Sequence, residues 1–172
     1  MKLPDLSAIK ILGLDVDGVL TDGRIIVHND GGESKHFHSQ DGLGLAILKR
    51  MGIEAVIITG RTSMIVEIRA KDLGITELHQ KVGEKWPVFE SILAQRGFSL
   101  QEAAFAGDDL IDLPIMSRVG LAMAPANARP EVLAIAHFVS QATGGHGAVR
   151  QMVEFILKGQ GRWDEVVESY LK

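Results

Sequence analysis

The chain has 172 residues, enough for one domain with a sizeable core. Hydrophobic residues make up 46% and charged residues 23%, the composition of a soluble globular protein. The absence of cysteine excludes disulfides and thiolate metal sites, and the net charge of −4 argues against nucleic acid or an anionic membrane surface as a partner.

The first residues lack the continuous apolar stretch of a signal peptide, and no run is long enough to span a bilayer, so a cytoplasmic protein is expected. Short apolar runs at 9–14, 55–58, 103–106 and 119–123 read as buried strands. The first leads into Asp15-Val16-Asp17-Gly18-Val19-Leu20-Thr21-Asp22-Gly23. Residues 24–28 and 34–38 then form two β-like runs around Asn29-Asp30-Gly31-Gly32, a hairpin signal where a crossover helix would be expected. Helical spacing follows in Leu43, Ile47 and Met51, in Trp86, Phe89 and Leu93, and in Val149, Met152, Val153 and Ile156. Gly52, Gly74 and Gly97 each stop a helical segment, because glycine takes the left-handed conformation that closes a helix. The tail from 160 begins as a loop and ends in a short polar helix. Strands alternating with helices predict an α/β fold: a doubly wound, Rossmann-like parallel sheet with helices on both faces and a protruding hairpin, all in a single domain spanning 1–172.

In such sheets ligands bind beyond the carboxyl ends of the strands, and the polar residues gather there. The first strand delivers Asp15 and Asp17, and the second long strand delivers Thr59, Gly60 and Arg61. The strand at 103–106 runs into Gly107-Asp108-Asp109-Leu110-Ile111-Asp112, and Lys85 opens a helix. Carboxylates leaving apolar strands need a cation, so either a metal or a lysine is expected beside them. A hard divalent ion with oxygen ligands suits the cluster, and Mg²⁺ is the usual choice beside phosphates. Other motifs read as ordinary structure. Asp41 before Gly42 is an expected N-cap, and Asn127 near Pro130 is expected to cap a helix, the alternative being a supporting role behind the site. His36 and His38 alternate in the hairpin, a spacing that could suggest a metal but is the usual one for surface residues of a strand. Gly42-Leu43-Gly44 is a poor dinucleotide fingerprint, because Ile47 holds the third glycine position.

Four motifs in order, Asp15-x-Asp17-Gly-Val, Ile58-Thr59-Gly60, Lys85 and Gly107-Asp108-Asp109-x-x-Asp112, resemble the haloacid dehalogenase superfamily of phosphotransferases over nearly the whole chain. The resemblance implies that Asp15 is a nucleophile toward phosphorus and Asp17 the acid, then base, of the reaction. Thr59 and Lys85 would hold phosphoryl oxygens. Mg²⁺ would be bound by Asp15, Asp108 and the backbone carbonyl of Asp17, with Asp109 and Asp112 completing or orienting the shell. Members usually carry an inserted cap domain, yet 23–41 holds only a hairpin and 59–85 only one helix and one strand, so the chain resembles the capless group. Within it, Thr59-Gly60-Arg61, Arg69-Ala70 before Leu73-Gly74-Ile75, and Gly144-Gly145-His146-Gly147-Ala148-Val149-Arg150 are similar to the branch acting on a phosphorylated eight-carbon sugar acid of lipopolysaccharide synthesis. That implies a homotetramer joined through its hairpins. Arg61 and Arg69 become candidates for the sugar carboxylate, since Arg pairs well with carboxylates. The alternatives are a nine-carbon sugar acid 9-phosphate as substrate, a phosphatase-like domain whose activity has decayed, and a phospho-accepting receiver-like signalling module. Retention of the carboxylates and Lys85 speaks against decay, and Asp17 against a receiver.

Overall fold

The computed structural model describes residues 4–172. The chain runs β1 (Ile11–Leu14), β2 (Ile26–Val27), β3 (Glu33–Ser34), α1 (Ser39–Arg50), β4 (Glu54–Ile58), α2 (Met64–Asp72), β5 (Glu77–His79), α3 (Lys85–Arg96), β6 (Ala103–Ala106), α4 (Leu113–Met116), β7 (Leu121–Ala124), α5 (Pro130–Ile135), β8 (Phe138–Val139), α6 (Ala148–Gly159) and α7 (Trp163–Tyr170). Six strands form a parallel sheet in the order β5-β4-β1-β6-β7-β8. From β1 the chain moves outward through β4 and β5, then returns to place β6 on the other side of β1. The carboxyl end of β1 therefore lies at the point where strand order reverses, the position at which a crevice opens in a doubly wound sheet.

Side-chain alternation explains the two cores. Along β1, Leu12 and Leu14 join the core that includes Leu45 and Leu48 of α1, Val66 and Ala70 of α2, and Met152, Val153 and Ile156 of α6. Ile11 belongs to the opposite core, with Phe89, Ile92 and Leu93 of α3, Ile115 and Met116 of α4, and Val132 of α5. A period of two sends successive residues to opposite faces, so a strand covered on both sides is apolar throughout. All four residues of β1 and of β6 are buried. Within α1, Leu43 remains exposed, while Gly44 allows the helix to lie directly against Arg150 of α6, where an added Cβ would come within 3.3 Å of the Arg150 Cα.

Several expectations shift. The strand expected at 119–123 is found at Leu121–Ala124, because Val119 still bonds back to Ile115 in the turn that ends α4. The hairpin ladder is shorter than 24–28 with 34–38: only Ile26 with Ser34 and Val27 with Glu33 are paired. Its turn is held by Asp30, whose carboxylate accepts from Gly32 N–H at 2.9 Å, and by His28 N–H donating to Gly32 at 2.8 Å. Beyond β3 the chain turns inward, with Phe37 packed against the core and His38 at the N-cap of α1. His36 is exposed and His38 half-buried, and neither lies in a strand.

Asp41 does not cap its own helix. It sits in the first turn of α1, and its buried carboxylate accepts from Gly147 N–H at 3.3 Å and Arg150 N–H at 2.7 Å, satisfying free donors at the start of α6. Asn127 likewise does not cap α5; its Oδ1 accepts from Gly144 N–H at 2.9 Å. Between Gly23 and Asp41 the structure holds only the hairpin, and between Thr59 and Lys85 only α2 and β5, so there is no cap domain.

Candidate active site

Three adjacent strands end at one place. The ladder of β1 continues one residue further through Asp15 N–H, which donates to Ala106 at 3.0 Å. The Asp15 side chain is 7% exposed, and its Oδ1 accepts from Val16 N–H at 2.7 Å and from Lys85 Nζ at 2.9 Å. The chain then closes a tight turn over Val16–Leu20, with Thr21 N–H donating to Val16 at 3.0 Å. Gly18 has φ +93°, and a Cβ there would lie 2.0 Å from Asp108 Oδ2. Only glycine allows both that backbone conformation and that approach.

From β4, Thr59 is buried, with its N–H donating to His79 at 2.9 Å. From β6, Asp108 and Asp109 N–H both donate to Asp112 Oδ2, at 3.0 and 3.3 Å. Asp112 is wholly buried and its Oδ1 accepts from Lys85 Nζ at 2.8 Å. Lys85 is the first residue of α3, so a helix start places its ammonium between two carboxylates.

Asp15, Asp108 and Asp112 bring one oxygen each within 4.8 Å of one another. Three carboxylates face one ammonium, which leaves an excess of two negative charges when all are ionised. Asp108 Oδ1 is buried without a hydrogen-bond partner. Burial, then the charge of Asp112, raises Asp15 to a pKa of about 6 against the pull of Lys85. Burial, then Asp15, Asp112 and Asp109, raises Asp108 to about 7. Burial works against the Lys85 ammonium, but Asp15 and Asp112 outweigh it and hold its pKa above the usual lysine value. An orphaned carboxylate oxygen and two uncompensated charges fit a hard divalent cation.

These shifts carry a sign. Asp15 and Asp108 hold their protons more tightly folded than unfolded, so the metal-free fold loses stability as pH rises from about 4 through about 7. A divalent ion removes that penalty. Saturating Mg²⁺ is expected to raise the melting temperature by roughly 5 °C at pH 8 and by much less at pH 5. Thermal melts with EDTA and with Mg²⁺ at the two pH values check this; equal shifts at both would count against the cluster as the metal site.

The other candidates are placed as follows. Asp109 is exposed, and its carboxylate accepts from its neighbour Leu110 N–H at 2.7 Å, capping the short helical turn Leu110–Asp112 rather than joining the cluster. Asp17 bonds Lys35 Nζ through Oδ1, and Arg61 Nε lies 3.9 Å from its Oδ2. Arg61 also reaches Glu33 at 3.3 Å. Arg69 stacks its guanidinium over Phe37, 5.5 Å from the ring centre, and its Nε is buried without a hydrogen-bond partner. Among the described residues, none of these Arg69 contacts is with the acidic cluster.

Sequence reasoning missed two contributors and the structural role of a third. Glu33 lies in the returning strand of the hairpin and Lys35 directly after it. The available signal was alternation: Lys35 stands two residues from the inward-facing Phe37, on the same side of an extended segment. The third is the glycine loop before α6. Gly145 N–H donates to Val19 at 3.1 Å, and a Cβ on Gly144 would fall 1.7 Å from the Gly18 carbonyl oxygen. The loop is thus the backing on which the Asp17-Gly18 turn rests.

The sequence profile of haloacid dehalogenase-like hydrolases matches residues 58–152. The chain belongs to this family. The haloacid dehalogenase-like chain is 43% identical over 157 residues to the 3-deoxy-D-manno-octulosonate 8-phosphate phosphatase KdsC of Escherichia coli (strain K12), covering 91% of this chain and 84% of that protein. It superposes with a TM-score of 0.94 on the Moraxella catarrhalis 3-deoxy-D-manno-octulosonate 8-phosphate phosphatase, solved in complex with magnesium ion, phosphate ion and KDO, at 39% identity over 96% of this chain and 95% of that one. The cobalt-bound phosphatase of Haemophilus influenzae gives a TM-score of 0.87 at 37% identity, over 91% of this chain and 92% of that one. Among the described residues, no helix of this haloacid dehalogenase-like protein is long and apolar enough to cross a membrane.

Proposed function

We propose that this protein hydrolyses 3-deoxy-D-manno-octulosonate 8-phosphate to the free sugar acid and inorganic phosphate, through an aspartyl-phosphate on Asp15. The observation that carries the reading is the Asp15 carboxylate at the end of β1, packed with Asp108 and Asp112 and held by the buried Lys85. The likeness to KdsC supplies the substrate. Family membership leaves the receiver-like reading without support.

The chemistry follows from the residues. Lys85 and Val16 N–H fix Oδ1 of Asp15, leaving the carboxylate oriented as a nucleophile toward phosphorus. As the Asp15–phosphorus bond forms, the bond to the sugar oxygen breaks, and Asp17 gives that oxygen its proton. Asp17 then takes a proton from the water that attacks the acyl phosphate, which releases phosphate and restores Asp15. Thr59 and Lys85 hold the phosphoryl oxygens. Asp15, Asp108 and the Asp17 carbonyl would hold Mg²⁺, with Asp112 and Asp109 ordering the loop, and the ion would supply positive charge to the transferring phosphoryl group.

Arg61, at the rim beside Asp17, and Arg69, farther along α2, are the candidates for the sugar carboxylate. The hairpin exposes Ile25 and Val27, and α2 exposes Met64 and Ile68, apolar surface that supports burial between copies in a homotetramer. Such an assembly would bring a neighbour to the open site. A cytoplasmic location and a place in lipopolysaccharide precursor synthesis follow from the same reading. The test is phosphate release over a panel of sugar phosphates, with molar mass read by light scattering on the same sample. The eight-carbon sugar acid phosphate is expected to lead, ahead of its nine-carbon 9-phosphate counterpart, and Arg61→Ala should narrow its lead over neutral hexose phosphates. A preference for hexose phosphates would overturn the substrate, and a fully active monomer would overturn the assembly.

A further inference from the structure

The hairpin does more than protrude. Lys35 follows β3 directly, yet its side chain is only 1% exposed, and its Nζ reaches Oδ1 of Asp17 across eighteen residues of sequence. Burying an ammonium is costly unless a carboxylate meets it, so a lysine of a solvent-facing ribbon has no reason to turn inward except for that partner. The same stretch of the hairpin sends Glu33 to Arg61, whose exposed side chain lies by the other oxygen of Asp17. The two cations are not equivalent. Lys35 is buried and within hydrogen-bond reach of Oδ1, whereas Arg61 is half-exposed and 3.9 Å from Oδ2, outside that reach.

We propose that Lys35 is a positioning residue for Asp17: it pins Oδ1 so that Oδ2, which has no hydrogen-bond donor among the described residues, faces the reaction as the oxygen that gives and takes the proton. Asp17 needs such a support. The turn that carries it leaves its side chain partly exposed, and among the described residues no backbone N–H donates to the Asp17 carboxylate, unlike Asp15, which accepts Val16 N–H. Without Lys35 the carboxylate is free to rotate, and a misplaced proton donor is lost to the leaving group. The hairpin thereby becomes a wall of the active site in its own chain. The inference rests on the phosphatase reading above and adds a role that the four family motifs do not contain.

The experiment compares 3-deoxy-D-manno-octulosonate 8-phosphate, whose leaving alkoxide needs a proton, with 4-nitrophenyl phosphate, whose leaving group does not. Lys35→Met is expected to lower kcat on the sugar phosphate by about 10- to 100-fold, with KM within about threefold, and to lower kcat on nitrophenyl phosphate by less than about threefold. In an Asp17→Asn background the same substitution should cost the sugar phosphate nothing further, because a residue that acts through Asp17 has nothing left to act on. Lys35→Gln keeps a donor and should fall between wild type and Lys35→Met. Circular dichroism and thermal melts check folding, and if Lys35→Met does not fold, Lys35→Gln is read in its place on both substrates. Equal losses on the two substrates, a rise in KM at unchanged kcat, or an additive loss in the Asp17→Asn background would overturn the positioning role. An inactive wild-type protein on both substrates would instead overturn the phosphatase reading itself.

Discussion

Asp15→Asn is expected to reduce turnover by at least about 10⁴-fold while leaving the protein folded and, without metal at pH 8, no less stable than the wild type. The first half follows from chemistry. An amide of the same shape has neither the charge nor the nucleophilic oxygen to form a bond to phosphorus, so the two-step route closes. The second half follows from electrostatics. Asp15 is buried beside Asp112, and its pKa of about 6 means that the ionised form is disfavoured in the metal-free fold. Replacing it with a neutral side chain removes a desolvated charge and relieves Asp108 and Asp112 of a like-charged neighbour, while Lys85 keeps Asp112 as its partner. Phosphate release and thermal melts on the same preparation read both halves. Turnover near the wild-type rate would remove Asp15 from the mechanism. A large fall in melting temperature at pH 8 would mean that Asp15 is structural, and the loss of activity would then carry no mechanistic weight.

Lys85→Met should be costly on both counts. The ammonium is fully buried and lies 2.9 Å from Asp15 and 2.8 Å from Asp112. Removing it leaves two buried carboxylates with no cation from the chain, and breaking a buried pair in this way costs about 3–5 kcal/mol. The cost depends on pH. At pH 8 both carboxylates must be ionised or take up protons against solvent, whereas at pH 5, below the raised pKa of Asp15, one of them is already neutral. Urea denaturation of the metal-free variant should therefore show a deficit that is large at pH 8 and smaller at pH 5. Adding Asp112→Asn should recover part of the stability and none of the activity. On the kinetic side, the loss of the charge facing the phosphoryl oxygens is expected to lower kcat by about 10³-fold even with saturating Mg²⁺. Unchanged denaturation midpoints would show that Lys85 contributes little to the fold, and wild-type kcat would show that it does not meet the phosphate.

The residues that gather at the strand ends were readable in the chain because the signals are local. A carboxylate that leaves an apolar strand is marked by its neighbours alone, as with Asp15 after 11–14 and Asp108 after 103–106. Lys85 is marked by the helix it opens, and Gly97 by the helix it closes in the left-handed conformation. Alternating strand and helix patterns were enough to predict a parallel sheet with two covered faces. The length of 23–41 and of 59–85 was enough to exclude a cap, since too few residues remain there to build one.

What waited for the tertiary structure were the pairings between segments that carry no mark of each other. Asp41 had every feature of a local cap, yet its acceptor role is toward Gly147 and Arg150, over a hundred residues away, because α1 and α6 pack side by side. Asn127 looked like a cap for α5 and instead holds the glycine loop through Gly144. Those glycines read as a subgroup signature; only the close approach of Gly144 to Gly18 shows that they support the Asp17 turn from behind. Lys35 was not singled out from the hairpin, and only the folding of that ribbon against the site brings it to Asp17. Local pattern governs which residues leave a strand or open a helix, because backbone conformation and burial periodicity are set within a few residues. Which distant side chain meets them is decided by how the helices pack on the sheet, and that is a property of the assembled fold.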